Sequence, residues 1–98
     1  MKNGYWVVAY RSVSDPLAVQ SYARLAKHAI EAAGGKVLAA PGGPVVIHEA
    51  GLAQHTVIVE FASFYIAQQA YADTAYQAAL RALGTGAERD FRIIEGTT

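Results

Sequence analysis

The chain has 98 residues, of which 53% are hydrophobic and only 16% charged. That is one domain's length, with an apolar excess for so small a body. Eight basic and eight acidic residues cancel, so the electrostatic footprint of a nucleic-acid or anionic-membrane partner is missing. Cysteine is absent, which excludes disulfides, thiolate metal sites and a thiol nucleophile.

Met1-Lys2-Asn3-Gly4 runs straight into an apolar stretch without a small-residue cleavage site. No apolar run approaches the roughly 20 residues that cross a bilayer. The expectation is a soluble cytoplasmic protein.

The first predicted element is a strand over residues 5–11, "YWVVAYR", rich in aromatic and β-branched residues. Tyr5, Val7 and Ala9 form one face, and Trp6, Val8 and Tyr10 the other. Both faces are apolar, so both are expected to be covered. "SDPLAVQSYARLAKHAIEAAGG" reads as a helix. Ser14 or Asp15 can cap it and Pro16 suits its first turn. Ala18, Tyr22, Leu25, Ala26, Ala29 and Ala33 recur at spacings of three and four and make an apolar stripe. Arg24, Lys27 and Glu31 fall opposite, and Gly34 or Gly35 ends the helix.

"KVLAAPGGPVVIHEAG" predicts a strand broken in the middle, with pieces at Lys36–Ala40 and Val45–Glu49. Pro41-Gly42-Gly43-Pro44 must interrupt the ladder, because proline brings no amide hydrogen. Residues 55–61, "HTVIVEF", are the clearest strand, with Val57, Val59 and Phe61 on one face and Thr56, Ile58 and Glu60 on the other. Ser63 can cap a helix running to about Ala72. Asp73 or Thr74 can cap another, striped by Tyr76, Ala79, Leu80 and Leu83 and closed by Gly84. "ERDFRIIEG" is the last strand, with Phe91 and Ile93 on one side and Arg92 and Ile94 on the other.

The order β-α-β-β-α-β predicts an α+β, ferredoxin-like antiparallel sheet in a single domain over residues 1–98. Helices then cover one face of the sheet only. The other face is apolar here, and soluble monomers rarely leave such a patch bare. Two sheets packed face to face would close a shared barrel. At ~25 cal/mol per Å², burying several hundred Å² contributes roughly 10 kcal/mol before association costs. A homodimer is the expected assembly.

Taken in order, several short segments resemble a known family. They are "GYWVV", the "DP" helix start followed by Tyr22, "GGKVL", the later Gly-Gly pair, "VIVEF" followed by Ser63, and the Tyr71–Tyr76 segment. The chain resembles the family of domain of unknown function 1330, in the dimeric α+β barrel superfamily, over nearly its whole length. The resemblance implies the ferredoxin-like fold and the dimer, and it implies no activity. Two positions depart from the family's pattern. Pro41 stands where relatives often carry an arginine before Gly-Gly, and Ala50 follows Glu49 where they often carry glycine.

Candidate site residues each have a plain structural alternative. His28 is a general-base candidate for a cavity between helix and sheet, or a solvated helix residue. His48 and His55 could meet across a hairpin, but no metal-ligand spacing supports this, and no metal is expected. Glu60 sits inside "VIVEFA" and needs a partner if buried, such as Arg11, Arg92 or the second subunit. Asp73 is a helix cap or a general acid or base. Trp6, Tyr10, Tyr22, Tyr71 and Tyr76 can line a pocket or simply fill a core. Gly42-Gly43 opens no helix, so no phosphate loop or cofactor motif is present.

Two functional readings follow. One is a homodimer that binds a small apolar or aromatic molecule between helices and sheet. The other, by fold analogy, is a cofactor-independent monooxygenase or isomerase.

Overall fold

A computed structural model describes residues 1–98. The elements are β1 (Gly4–Val13), α1 (Pro16–Ala32), β2 (Lys36–Ala39), β3 (Thr56–Phe61), α2 (Phe64–Ala72), α3 (Thr74–Leu83) and β4 (Ala87–Glu95). The strands form one sheet in the order β2-β3-β1-β4, with every neighbouring pair antiparallel. The fold is the expected α+β, ferredoxin-like one.

The elements begin and end where the local chemistry requires. The Asp15 carboxylate accepts from the amides of Leu17 and Ala18 and so caps α1, while Pro16 occupies the first turn. Ser14 instead donates its hydroxyl to the Thr85 carbonyl. Ser63 accepts from the Ile66 amide and caps α2. Gly84, at φ +53°, closes α3 in a conformation other residues adopt at a cost. Asp73 separates α2 from α3 with an extended backbone (φ −62°, ψ 145°), and its side chain makes no capping bond. Gln77 stabilises the joint instead, donating its amide to the Tyr71 carbonyl at 2.7 Å.

The expected second strand piece, Val45–Glu49, does not form, and residues 40–55 contain no strand. Gly42 takes φ +104° and Glu49 φ +53°, so the backbone turns rather than extends. Both edges of β3 are already occupied, by β2 and β1. Val45, Val46, Ile47 and Leu52 are left exposed along this connection. Leu25, counted in the α1 stripe, is also 44% exposed; the inward residues are Tyr22, Ala26, Ala29 and Ile30.

The core lies between the helices and one face of the sheet. Trp6 is its centre, with 1% exposure, and it donates its indole N–H to the Ala67 carbonyl at 2.8 Å. Its ring lies 4.8 Å from Phe61, 4.8 Å from Tyr76 and 5.2 Å from Phe91, centroid to centroid. Strand alternation turns Tyr5, Val7, Ala9 and Ile58 to the opposite face, where they are half-buried by their neighbours and no helix covers them. This outer face is apolar at its middle and charged at its β4 edge, where Asp90 pairs with Arg11 at 3.2 Å and with Arg92 at 3.1 Å.

Candidate functional site

A groove opens between α1 and the helix-facing side of the sheet. It exists because α1 packs along α3 rather than down on the strands, and because Ala23 and Ala26 are too short to fill the space beneath. Valines of β1, β2 and β3 (Val8, Val37, Val57 and Val59) form the floor, together with Trp6. Pro41, Gln54 and His55 border it from the β2–β3 connection. The volume of this half-open groove is about 770 Å³, within the range that holds a small organic ligand.

Polar groups gather where β4 meets α1. The Tyr22 and Tyr76 hydroxyls are 2.7 Å apart. Arg89 of β4 donates to the Tyr22 hydroxyl at 2.9 Å. Its guanidinium carbon lies 4.6 Å from the Tyr22 ring centre, 5.5 Å from Phe91 and 5.6 Å from Tyr10. Burial pushes the Tyr76 phenol well above its ordinary value, with Tyr22 adding to the shift and Arg89 opposing it. Burial, with Tyr22, also raises Tyr10, again against Arg89. For Arg89, burial works against the charge, but the Tyr22 and Tyr76 oxygens outweigh it and hold the guanidinium above its usual range. At neutral pH Tyr10 and Tyr76 are therefore neutral phenols beside one fixed cation.

Of the aromatics singled out in the sequence, Trp6, Tyr10 and Tyr22 line the groove. Tyr71 and Tyr76 stand behind it in the aromatic core, 5.4 Å apart between ring centres. His28 is exposed on α1 and lies outside the groove, and Asp73 is exposed at the α2–α3 joint, also outside it. Glu60 is half-buried on the outer sheet face, opposite Lys36 and Tyr5 in register. It accepts from the Tyr5 hydroxyl at 3.1 Å and the Asn3 amide at 3.3 Å. The arginines proposed for it, Arg11 and Arg92, bond to Asp90 instead, because β4 lies across β1 from β3 and Asp90 is the nearer carboxylate. No group of three or more His, Asp or Glu side chains is placed to hold a metal ion.

Sequence reasoning missed Arg89. The signal was present: Arg89, Phe91 and Ile93 share a parity, so the strand that turns Phe91 to the core turns Arg89 there too.

The model of the family described as "Domain of unknown function (DUF1330)" matches residues 3–97. The chain belongs to this family. No curated protein matches it by sequence. Among solved structures, it is similar to a protein of unknown function from Rhodopseudomonas palustris, at 17% identity and TM-score 0.71, over 99% of this chain and 84% of that one. It is similar to SnoaB, a cofactor-independent oxygenase from Streptomyces nogalater, at 9% identity and TM-score 0.62, over 100% and 96% of the two chains. A dimeric ferredoxin-like protein of unknown function from Thermobifida fusca shares 13% identity at TM-score 0.59, over 98% and 93%. At these identities the likeness is one of fold. No helix of this family member is long and apolar enough to cross a membrane.

Proposed function

We propose that the chain works as a cytoplasmic homodimer that binds a small apolar or aromatic molecule in the groove of each subunit. The observation that carries the reading is the groove itself: about 770 Å³ walled mainly by valine, alanine and aromatic side chains, with Arg89 bonded to the Tyr22 hydroxyl at its β4 end. A sheet face with Val7, Ala9 and Ile58 at its middle and no helix over it supports the dimer, as does the dimeric fold relative from Thermobifida fusca.

Binding is favoured over cofactor-independent oxygenation or isomerisation, because His28 and Asp73, the acid–base candidates of the sequence, stand in solvent away from the groove. The test uses the single tryptophan, Trp6, which lies on the groove floor. The neutral fluorophore N-phenyl-1-naphthylamine is titrated into the purified protein while Trp6 emission is read, with sedimentation in parallel. A dimer that quenches saturably, one probe per subunit, supports the proposal. Unquenched Trp6 refutes the binding half, and a monomer at micromolar concentration refutes the dimer.

A further inference from the structure

Arg89 is the one groove cation packed, half-buried, among aromatic rings, and no ion pair in the chain neutralises it. The ion pairs of this region go elsewhere: Asp90 takes Arg11 and Arg92. No carboxylate comes within ion-pair distance of Arg89. Lys27 and Glu31, one charge of each sign, are exposed at the groove's α1 rim. The nearest oxygens to Arg89 are phenol hydroxyls, and its hydrogen bond runs from one terminal nitrogen to Tyr22. A guanidinium carries five N–H donors in a planar fork. No fully buried side-chain nitrogen or oxygen lacks a partner, so the guanidinium nitrogens not bonded to Tyr22 retain solvent access, and Arg89 is one of the residues lining the groove.

This arrangement selects among ligands. An apolar molecule filling the groove strips water from Arg89 and leaves a charge without a counter-ion, which is costly in an apolar setting. A molecule of the same shape that carries a carboxylate replaces that water with a charge-assisted, two-pronged hydrogen bond. The rings of Tyr10, Tyr22 and Phe91 around the guanidinium already hold the fork in place, so little further ordering is needed to bind.

We propose that the ligand is an acid: a planar aromatic or apolar molecule lying on the valine floor, with its carboxylate anchored by Arg89. The proposal rests on the groove being a binding site and names the chemical class that the site takes.

The test is a matched pair of probes, anthracene-2-carboxylate and its neutral amide anthracene-2-carboxamide, titrated into the purified protein with Trp6 quenching as the readout. The acid is expected to bind ten- to a hundredfold more tightly than the amide. Arg89→Gln is expected to remove that preference, bringing the acid to within about twofold of the amide, and Arg89→Lys to keep part of it as a point charge. Equal binding of acid and amide to the unsubstituted protein overturns the acid assignment while the groove remains a binding site. Binding of neither overturns the groove reading as well. An Arg89→Gln protein that melts earlier but keeps the acid preference makes Arg89 a structural residue and refutes the anchor. Should Arg89→Gln not fold, the acid-to-amide ratio of the unsubstituted protein decides the matter.

Discussion

The hydroxyl pair at the end of the groove makes an unequal double-mutant cycle. Tyr76→Phe removes one hydrogen bond, the 2.7 Å contact between the two phenols, between residues 0% and 7% exposed. A neutral bond of this kind contributes about 1 kcal/mol net. Tyr22→Phe removes the same bond and also the oxygen that accepts from Arg89 at 2.9 Å. Bonds from charged donors are worth about 1.5–3 kcal/mol, and the half-exposed guanidinium places this one at the low end. Tyr22→Phe should therefore cost about 2–3 kcal/mol, against about 1 for Tyr76→Phe. The double variant should cost no more than Tyr22→Phe alone, because the shared bond is already gone. That gives a coupling of about 1 kcal/mol. Urea unfolding followed by Trp6 emission, at one protein concentration throughout, measures all three. If the two single costs add in the double variant to within about 0.3 kcal/mol, or if Tyr76→Phe is the costlier, the hydroxyl network described above does not stabilise the fold.

Other outcomes follow from the same geometry. Tyr76 ionises near pH 10 in the unfolded chain and at higher pH in the fold, where burial holds it protonated. Its contribution is present in full below about pH 10 and is lost as pH rises beyond that, because the unfolded chain then binds fewer protons. The loss is up to about 1.4 kcal/mol per pH unit, so stability measured from pH 8 to 11 should fall more steeply in the unsubstituted protein than in Tyr76→Phe; parallel curves contradict this. Gly4→Ala places a methyl group against the Ser63 carbonyl and 2.6 Å from the Phe64 Cα, both backbone. It should cost about 1–3 kcal/mol, and an unchanged urea midpoint would show that the start of β1 has room that the structure does not give it. Trp6→Phe loses the indole bond to the Ala67 carbonyl at 2.8 Å along with ring volume at 1% exposure. A loss of about 2–4 kcal/mol is expected by calorimetry, and a change under 1 kcal/mol refutes the central role given to Trp6.

Much of the architecture was legible because it is written in short-range patterns. Alternation in "YWVVAYR" and "HTVIVEF" grouped Trp6 with Val8, and Val57 with Val59 and Phe61, and the structure turns both groups to the helices; Asp15, Ser63 and Gly84 marked helix ends. The failure at Val45–Glu49 has a long-range cause. β-branched residues favour a strand, but a strand needs a partner: both edges of β3 are taken, and the segment turns at Gly42 and Glu49 without pairing to the open outer edge of β2. Glu60 went to Tyr5 and Asn3 rather than an arginine because strand order decides which side chains can meet across the sheet, and that order is not a local property. Trp6, Tyr10 and Tyr22 pointed to a pocket between helices and sheet and do line the groove, but its extent and its valine floor were not legible, for a related reason. The groove depends on α1 leaning on α3, which the alanines of α1 permit but do not announce. Arg89 was within reach of the alternation rule and was passed over because charged residues are ordinarily assigned to solvent.

The most direct test of the groove as a binding site is to locate a bound probe residue by residue. Backbone amide chemical shifts of the ¹⁵N-labelled protein are followed while N-phenyl-1-naphthylamine is added. The account predicts shifts at Trp6, Val8, Ala26, Val57 and Val59, which all border the groove, with the outer edge of β4 around Arg92 and Ile94 undisturbed. Shifts centred on the β4 edge, or on the exposed Val45–Leu52 connection with the groove residues silent, would contradict it.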